Sequence, residues 1–130
     1  MLGTIEIRSK KRIDFIDMTA QIEQFVKKSS ISEGICHLFV PHTTAALTVN
    51  ECADPDVIED MEFKLARLVP PDEKYMHSEG NSDAHIKSSI MGCSANIIIS
   101  GSKLLLGTWQ GIFFCEFDGP RNRKLHIKII

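Results

Sequence analysis

No apolar stretch in this chain approaches the roughly 20 residues needed to cross a bilayer as a helix, so a membrane-spanning role is not expected. Broad basic surface is missing too. The net charge is −2, and basic residues cluster only at Lys10–Arg12 and Arg121–Lys124, which argues against a nucleic-acid partner. Cysteine is sparse and widely spaced, at positions 36, 52, 93 and 115. That spacing fits neither a compact zinc template nor a redox pair. Cys36 and Cys115 sit in apolar runs, where a thiol behaves as a small hydrophobe. No signal peptide precedes the first strand-like residues, so reduced thiols in a cytoplasmic protein are expected. There is no glycine-rich loop after a strand and no strict βαβ alternation, which excludes Rossmann and P-loop folds. Internal repeats, linkers and low-complexity segments are also absent.

What is present suits one domain over residues 1–130. Hydrophobic residues make up 43% of the chain and charged residues 25%, within the globular norm and enough for a core. "TIEIRSKKRIDFID" alternates apolar and polar residues on both sides of a basic tip, predicting two short strands joined there. "MTAQIEQFVKKSS" switches to helical spacing through Met18, Ile22, Phe25 and Val26, with Asp17 as its N-cap. "ICHLFVP" and "AALTVNE" read as strands. Asp54-Pro55 then starts a helix whose stripe of Ile58, Met61, Leu65 and Leu68 stops before Pro70-Pro71. A polar stretch follows, then a short helix through "AHIKSSIM", capped by Ser82 or Asp83 and ended by Gly92. "ANIIIS", "GIFFCEFD" and "KLHIKII" supply at least three closing strands. The expected class is α+β: mixed or antiparallel sheets of about seven or more strands, with two to three helices.

Three polar stretches can carry chemistry. In "PHTT", His42 stands at a strand end beside Thr43 and Thr44, placed to face a cleft or simply to bridge two strands. In "YMHSEGNSDAH", His77 and His85 are eight residues apart, which matches no local zinc motif, so a metal would need a third ligand such as His42. Asn81 and the helix start beside it could attract an anion. In "GTWQGIFFCEFDGPRNR", alternation sets Ile112, Phe114, Glu116 and Asp118 on one face. Phe113, Cys115 and Phe117 fall on the other, and the Gly119-Pro120 turn brings Arg121 back towards the acids. An Arg–carboxylate pair fixing the strand end is as good a reading there as a catalytic pair. His37 and His126 read as sheet-face residues.

In this order and spacing, "HTTAALTVNE", "DPDV", "YMHSEGNSDAHIKSSIMG" and "GTWQGIFFCEFDGPRNR" resemble the YjbQ-like family, which also carries the label secondary thiamine-phosphate synthase. The resemblance implies a sandwich fold that assembles as a homotrimer, with its polar residues in a cleft near the subunit boundary. It implies catalytic or metal-binding roles for His42, His77 and His85 and a base or ligand role for Glu116. It also implies substrate or anion contacts from Thr43, Thr44, Asn81, Gln110 and Arg121. The implied reaction joins a pyrimidine pyrophosphate to a thiazole phosphate. Three imidazoles favour zinc, whereas release of pyrophosphate favours magnesium with carboxylate help. Metal-assisted hydrolysis and metabolite or metal binding without turnover are the alternatives.

Overall fold

Strict alternation in the last strand shows how the sheets are built: Arg123, Leu125, Ile127 and Ile129 point inward, while Asn122, Lys124 and Lys128 face solvent. The same period-2 logic runs through a computed structural model that describes residues 1–130. Its elements are β1 (Leu2–Arg8), β2 (Asp14–Asp17), α1 (Thr19–Ser29), β3 (Glu33–Phe39), β4 (Ala45–Glu51), α2 (Pro55–Leu68), α3 (Ser82–Met91), β5 (Ser94–Ser100), β6 (Lys103–Leu104), β7 (Gln110–Glu116) and β8 (Asn122–Ile129). One sheet has the order β1-β8-β3-β5-β6, the other β2-β7-β4. Every ladder is antiparallel, so the mixed option is not used.

The main core fills the space between the two sheets and α1. Ile22 and Val26 of α1 meet Leu38, Leu47, Ile99, Ile112, Phe114, Leu125 and Ile127 there. A second cluster of Ala46, Ala84, Phe113, Cys115 and Phe117 lies on the far side of the small sheet. Strand β7 is therefore buried on both faces, as its unbroken apolar run implies. Burial raises the Cys36 thiol to about 11 and the Cys115 thiol further, so both are inert packing groups.

Several local expectations change in the fold. The strands flanking the basic tip form no hairpin: β1 pairs with β8 and β2 with β7. β1 lies in the five-stranded sheet and β2 in the three-stranded one, so the tip crosses between sheets. Ile7 and Ile16 meet across the first cluster, while Phe15 packs against the second. Buried Ser9 pins that crossing, its N–H donating to the Arg121 carbonyl at 3.1 Å. Asp17 stands one residue before the N-cap Met18, yet its carboxylate still accepts from the Thr19 N–H (3.0 Å) and hydroxyl (2.6 Å). Asp54 caps α2 as expected, accepting the Asp56 N–H at 2.9 Å, but α2 has no fully buried residue. Helix α3 starts at Ser82 behind Asn81, so neither Ser82 nor Asp83 is its cap. Gly92 ends it at φ 93°, a backbone region that residues with a Cβ avoid. The two-residue β6 follows a turn at Gly101 and Ser102, both at positive φ.

Candidate functional site

Strand ends of β4, β7 and β8 and the start of α3 converge on the link between β3 and β4, which carries His42. Its Nε2 accepts the backbone N–H of Lys124 at 2.9 Å. A backbone amide only donates, so the acceptor nitrogen bears no proton, and a neutral ring must carry its hydrogen on Nδ1. Burial, then the charge of Arg123, lower the His42 pKa below 6.5 against an opposing pull from Glu116. His42 is thus held as a neutral N–H donor.

Beneath it lies a buried ionic network. Arg123 gives Nε to Glu116 Oε1 at 2.8 Å and Nη2 to Oε2, and also gives Nη2 to the Thr44 hydroxyl at 2.7 Å. Ser9 Oγ donates to Glu116 Oε1 at 2.7 Å, and the Asp118 N–H donates to Glu116 Oε2 at 3.1 Å. Burial alone would raise the Glu116 pKa, but the hydrogen bonds from Arg123, Ser9 and Asp118 outweigh it and hold the group below its ordinary value. With both oxygens engaged and no exposed surface, Glu116 anchors the strand end and is poorly placed to take a proton from a substrate.

Arg121 does not reach Glu116. It pairs instead with Asp118, Nη2 to Oδ2 at 2.9 Å, and donates Nε to the Asp118 carbonyl at 2.8 Å. Asp118 lies past the end of β7 and also accepts from Asn81 Nδ2 at 2.9 Å, tying the start of α3 to the strand end. Asn81 Oδ1 is buried with no donor. A second buried set is centred on Asp83, which accepts both arms of Arg12 (2.9 and 3.0 Å) and Lys87 Nζ at 3.2 Å. Burial raises the Asp83 pKa, but its two cationic partners more than reverse that and hold it low. Asp83 and Lys87, four residues apart on a helix, were the one sequence signal for this triad.

His77 and His85 meet edge to face, ring centroids 5.4 Å apart, and His77 lies 3.6 Å from Glu79. The Tyr75 hydroxyl closes the preceding loop onto the Pro70 carbonyl at 2.6 Å. His85 also shares a depression of about 510 Å³ with His42, Thr43, Ser88 and Cys93. His85 therefore borders both other histidines. The three do not form a ligand set, and no group of three or more His, Cys, Asp or Glu converges to hold a metal ion. The lone pair of His42 is already engaged by Lys124. Within one chain, the residues present do not fit the expected zinc or magnesium site. Gln110 is also apart: it begins β7 opposite Glu51, whereas Glu116 ends it opposite Ala45, about 20 Å along the strand. Its Oε1 accepts the Gly107 N–H at 2.8 Å.

Comparison with known proteins agrees with this frame. The sequence model described as "UPF0047 protein YjbQ-like" matches residues 3–130. The chain belongs to the YjbQ-like UPF0047 family. A UPF0047 protein of Methanocaldococcus jannaschii is 52% identical over 130 residues, covering 100% of this chain and 94% of that one. The UPF0047 protein YugU of Bacillus subtilis is 46% identical, covering 100% and 99%. Among solved structures, an uncharacterised conserved protein of the family from Clostridium acetobutylicum superposes with a TM-score of 0.96 at 49% identity, covering 98% and 99%. A YjbQ-like protein of unknown function from Sulfolobus solfataricus gives 0.95 at 34%, covering 99% and 95%.

Proposed function

We propose that this protein is a small-molecule enzyme acting on a phosphorylated substrate, with thiamine-phosphate synthesis as the reaction. In that reaction the thiazole nitrogen lone pair attacks the methylene carbon of the pyrimidine pyrophosphate. The carbon–oxygen bond breaks, and its electrons leave on pyrophosphate. The demand on the protein is donors and positive charge where the departing oxygen gathers charge. The observation that carries the reading is the hydrogen bond from the Lys124 N–H to His42 Nε2, which leaves Nδ1 to carry the ring hydrogen of a residue lining a depression shared with His85 and Thr43.

In this reading His42 donates to the departing anion. His85, with His77 against its ring, is the acid–base group, and Thr43 orients the substrate. Asn81 and Arg121 face the same end of the fold, with Arg121 able to exchange Asp118 for an anionic substrate. Glu116 and Thr44 act through Arg123 as positioning residues, and Gln110 contributes to a loop at the far end of β7. No step is routed through a metal ion.

Assembly as a homotrimer is part of the proposal. Its support is the outer face of the five-stranded sheet, where Ile35, Phe39 and Ile98 of β3 and β5 stay exposed, since grouped apolar side chains on a surface mark interaction sites. No helix is long and apolar enough to cross a membrane. All four cysteines are free, which suits the reducing cytoplasm. The test is turnover of both thiamine precursors by wild type, His42→Ala and His85→Ala, each checked for an unchanged fold. Loss of turnover in both variants supports the reading. Equal turnover in all three removes the histidines from the chemistry, and retained binding without turnover in wild type makes this a metabolite-binding protein.

A further inference from the structure

Three of the four arginines around the site are matched with carboxylates: Arg12 with Asp83, Arg121 with Asp118, and Arg123 with Glu116. Arg8 is the fourth, and it forms no ion pair; neither does Lys124. Both line one depression of about 340 Å³, together with His42, Asn122 and Glu6. That volume sits at the lower end of small-ligand pockets, about 300–1,000 Å³.

The placement follows from register. In the β1–β8 ladder Arg8 stands opposite Asn122 and Glu6 opposite Lys124. Residues two apart share a face, so all four side chains rise from the same side of the sheet. Arg8 Nη1 reaches Asn122 Oδ1 only at 3.5 Å, a weak bond that leaves most of the guanidinium unused. Glu6 is the only carboxylate among the lining residues, and it forms no ion pair. His42 closes the depression from the β3–β4 link and also borders the separate depression containing His85. One residue therefore stands between a cationic crease and the proposed reacting surface.

We propose that this crease is a phosphoryl-binding subsite, in which Arg8 and Lys124 hold the phosphate or diphosphate end of the substrate while its reacting end lies across His42 towards His85. An arginine fork and a lysine point charge suit the non-bridging oxygens of such a group, and the Asn122 amide adds a neutral donor. Glu6 opposes the anion and limits its affinity, which favours release. The assignment rests on the phosphorylated-substrate reading for the identity of the molecule, but binding of the anion itself requires no turnover.

The experiment is a titration of the full-length protein with inorganic pyrophosphate, followed by amide chemical shifts, with inorganic phosphate as a second probe. Saturable shifts are expected at residues 6–8 and 122–124. Arg8→Gln and Lys124→Gln should each weaken pyrophosphate by about tenfold, the loss of one charge-assisted contact. Glu6→Gln should tighten it, and Arg67→Gln, a cation on α2 outside the crease, should leave it unchanged. Added salt should weaken binding, because Arg8 and Lys124 are exposed. No saturable shift at millimolar pyrophosphate overturns the inference. So does a shift lost in Arg121→Gln but retained in Arg8→Gln and Lys124→Gln. Crease binding without synthesis leaves the subsite standing and removes the synthase reading. Synthesis with an unchanged KM in both crease variants does the reverse.

Discussion

His42 Nε2 and the backbone N–H of Lys124 lie 2.9 Å apart, and this one bond restricts what the histidine can do. The nitrogen that would bind a metal or accept a proton is already an acceptor. The other carries the hydrogen of the neutral ring. Nitrogen chemical shifts of the imidazole should therefore report a protonated Nδ1 and a bare Nε2 at pH 7. Replacement by alanine should lower turnover by about 100-fold or more, the usual cost of losing a donor to developing negative charge. The opposite tautomer, or a ring charged at pH 7, would remove His42 from the donor role.

The Glu116–Arg123 pair carries a stability prediction. Both side chains are buried, at 0% and 4% exposure. Glu116→Ala should cost about 3–5 kcal/mol in chemical denaturation, because Arg123 would remain buried without its counter-charge. Replacing both residues by methionine should cost less than either single truncation, since no charge is then stranded. Additive losses in the double variant would show that the pair is not energetically coupled.

Acid should destabilise the fold by a route with a definite sign. Glu116 and Asp83 are held below their ordinary values of 4.5 and 3.8. The unfolded chain therefore takes up protons first as pH falls. The stability these groups add is complete above those values and drains away as pH drops through the folded ones. His42, lowered from 6.5, adds a shallower loss that begins just below that pH, again because the unfolded state binds the proton more tightly. Midpoints measured from pH 7 down to pH 3 should fall gently at first through the His42 loss and then more steeply through the carboxylate loss, and Glu116→Gln should flatten the lower part of the curve. A variant curve parallel to wild type would contradict the assignment.

How much of this was visible in the chain depended on how local the cause was. Strand β4 and the Asp54-Pro55 start of α2 were legible because alternation and capping act within a few residues. The two faces of β7 were legible for the same reason. Sheet membership was not: alternation identifies β1 and β2 as strands but does not name β8 and β7 as their partners. The exchange of Arg121 for Arg123 as the partner of Glu116 has the same origin. Arg123 points inward because β8 pairs with β1 in one register, setting it opposite Ile7. Asp83 looked like a helix cap because its main partner, Arg12, is 71 residues away. The histidines were individually legible, but the Lys124 amide that decides the state of His42 was not, since a backbone group leaves no mark in sequence.

The apolar part of the larger sheet's open face, on β3 and β5 and apart from the Arg8–Lys124 crease on β1 and β8, predicts assembly. Ile98, 58% exposed on β5 opposite Ile35 of the central strand β3, should be covered in the trimer. Light scattering should give a trimeric mass for wild type and a smaller species for Ile98→Lys. A monomeric wild type at micromolar concentration would contradict the proposed assembly.

The most direct measurement is mass-spectrometric detection of products when the purified protein meets both thiamine precursors. Thiamine phosphate and pyrophosphate should appear together in equal amounts, and the yield should fall when His42 is replaced. Neither product forming, while pyrophosphate still binds at the crease, would contradict catalysis and leave a binding protein in its place.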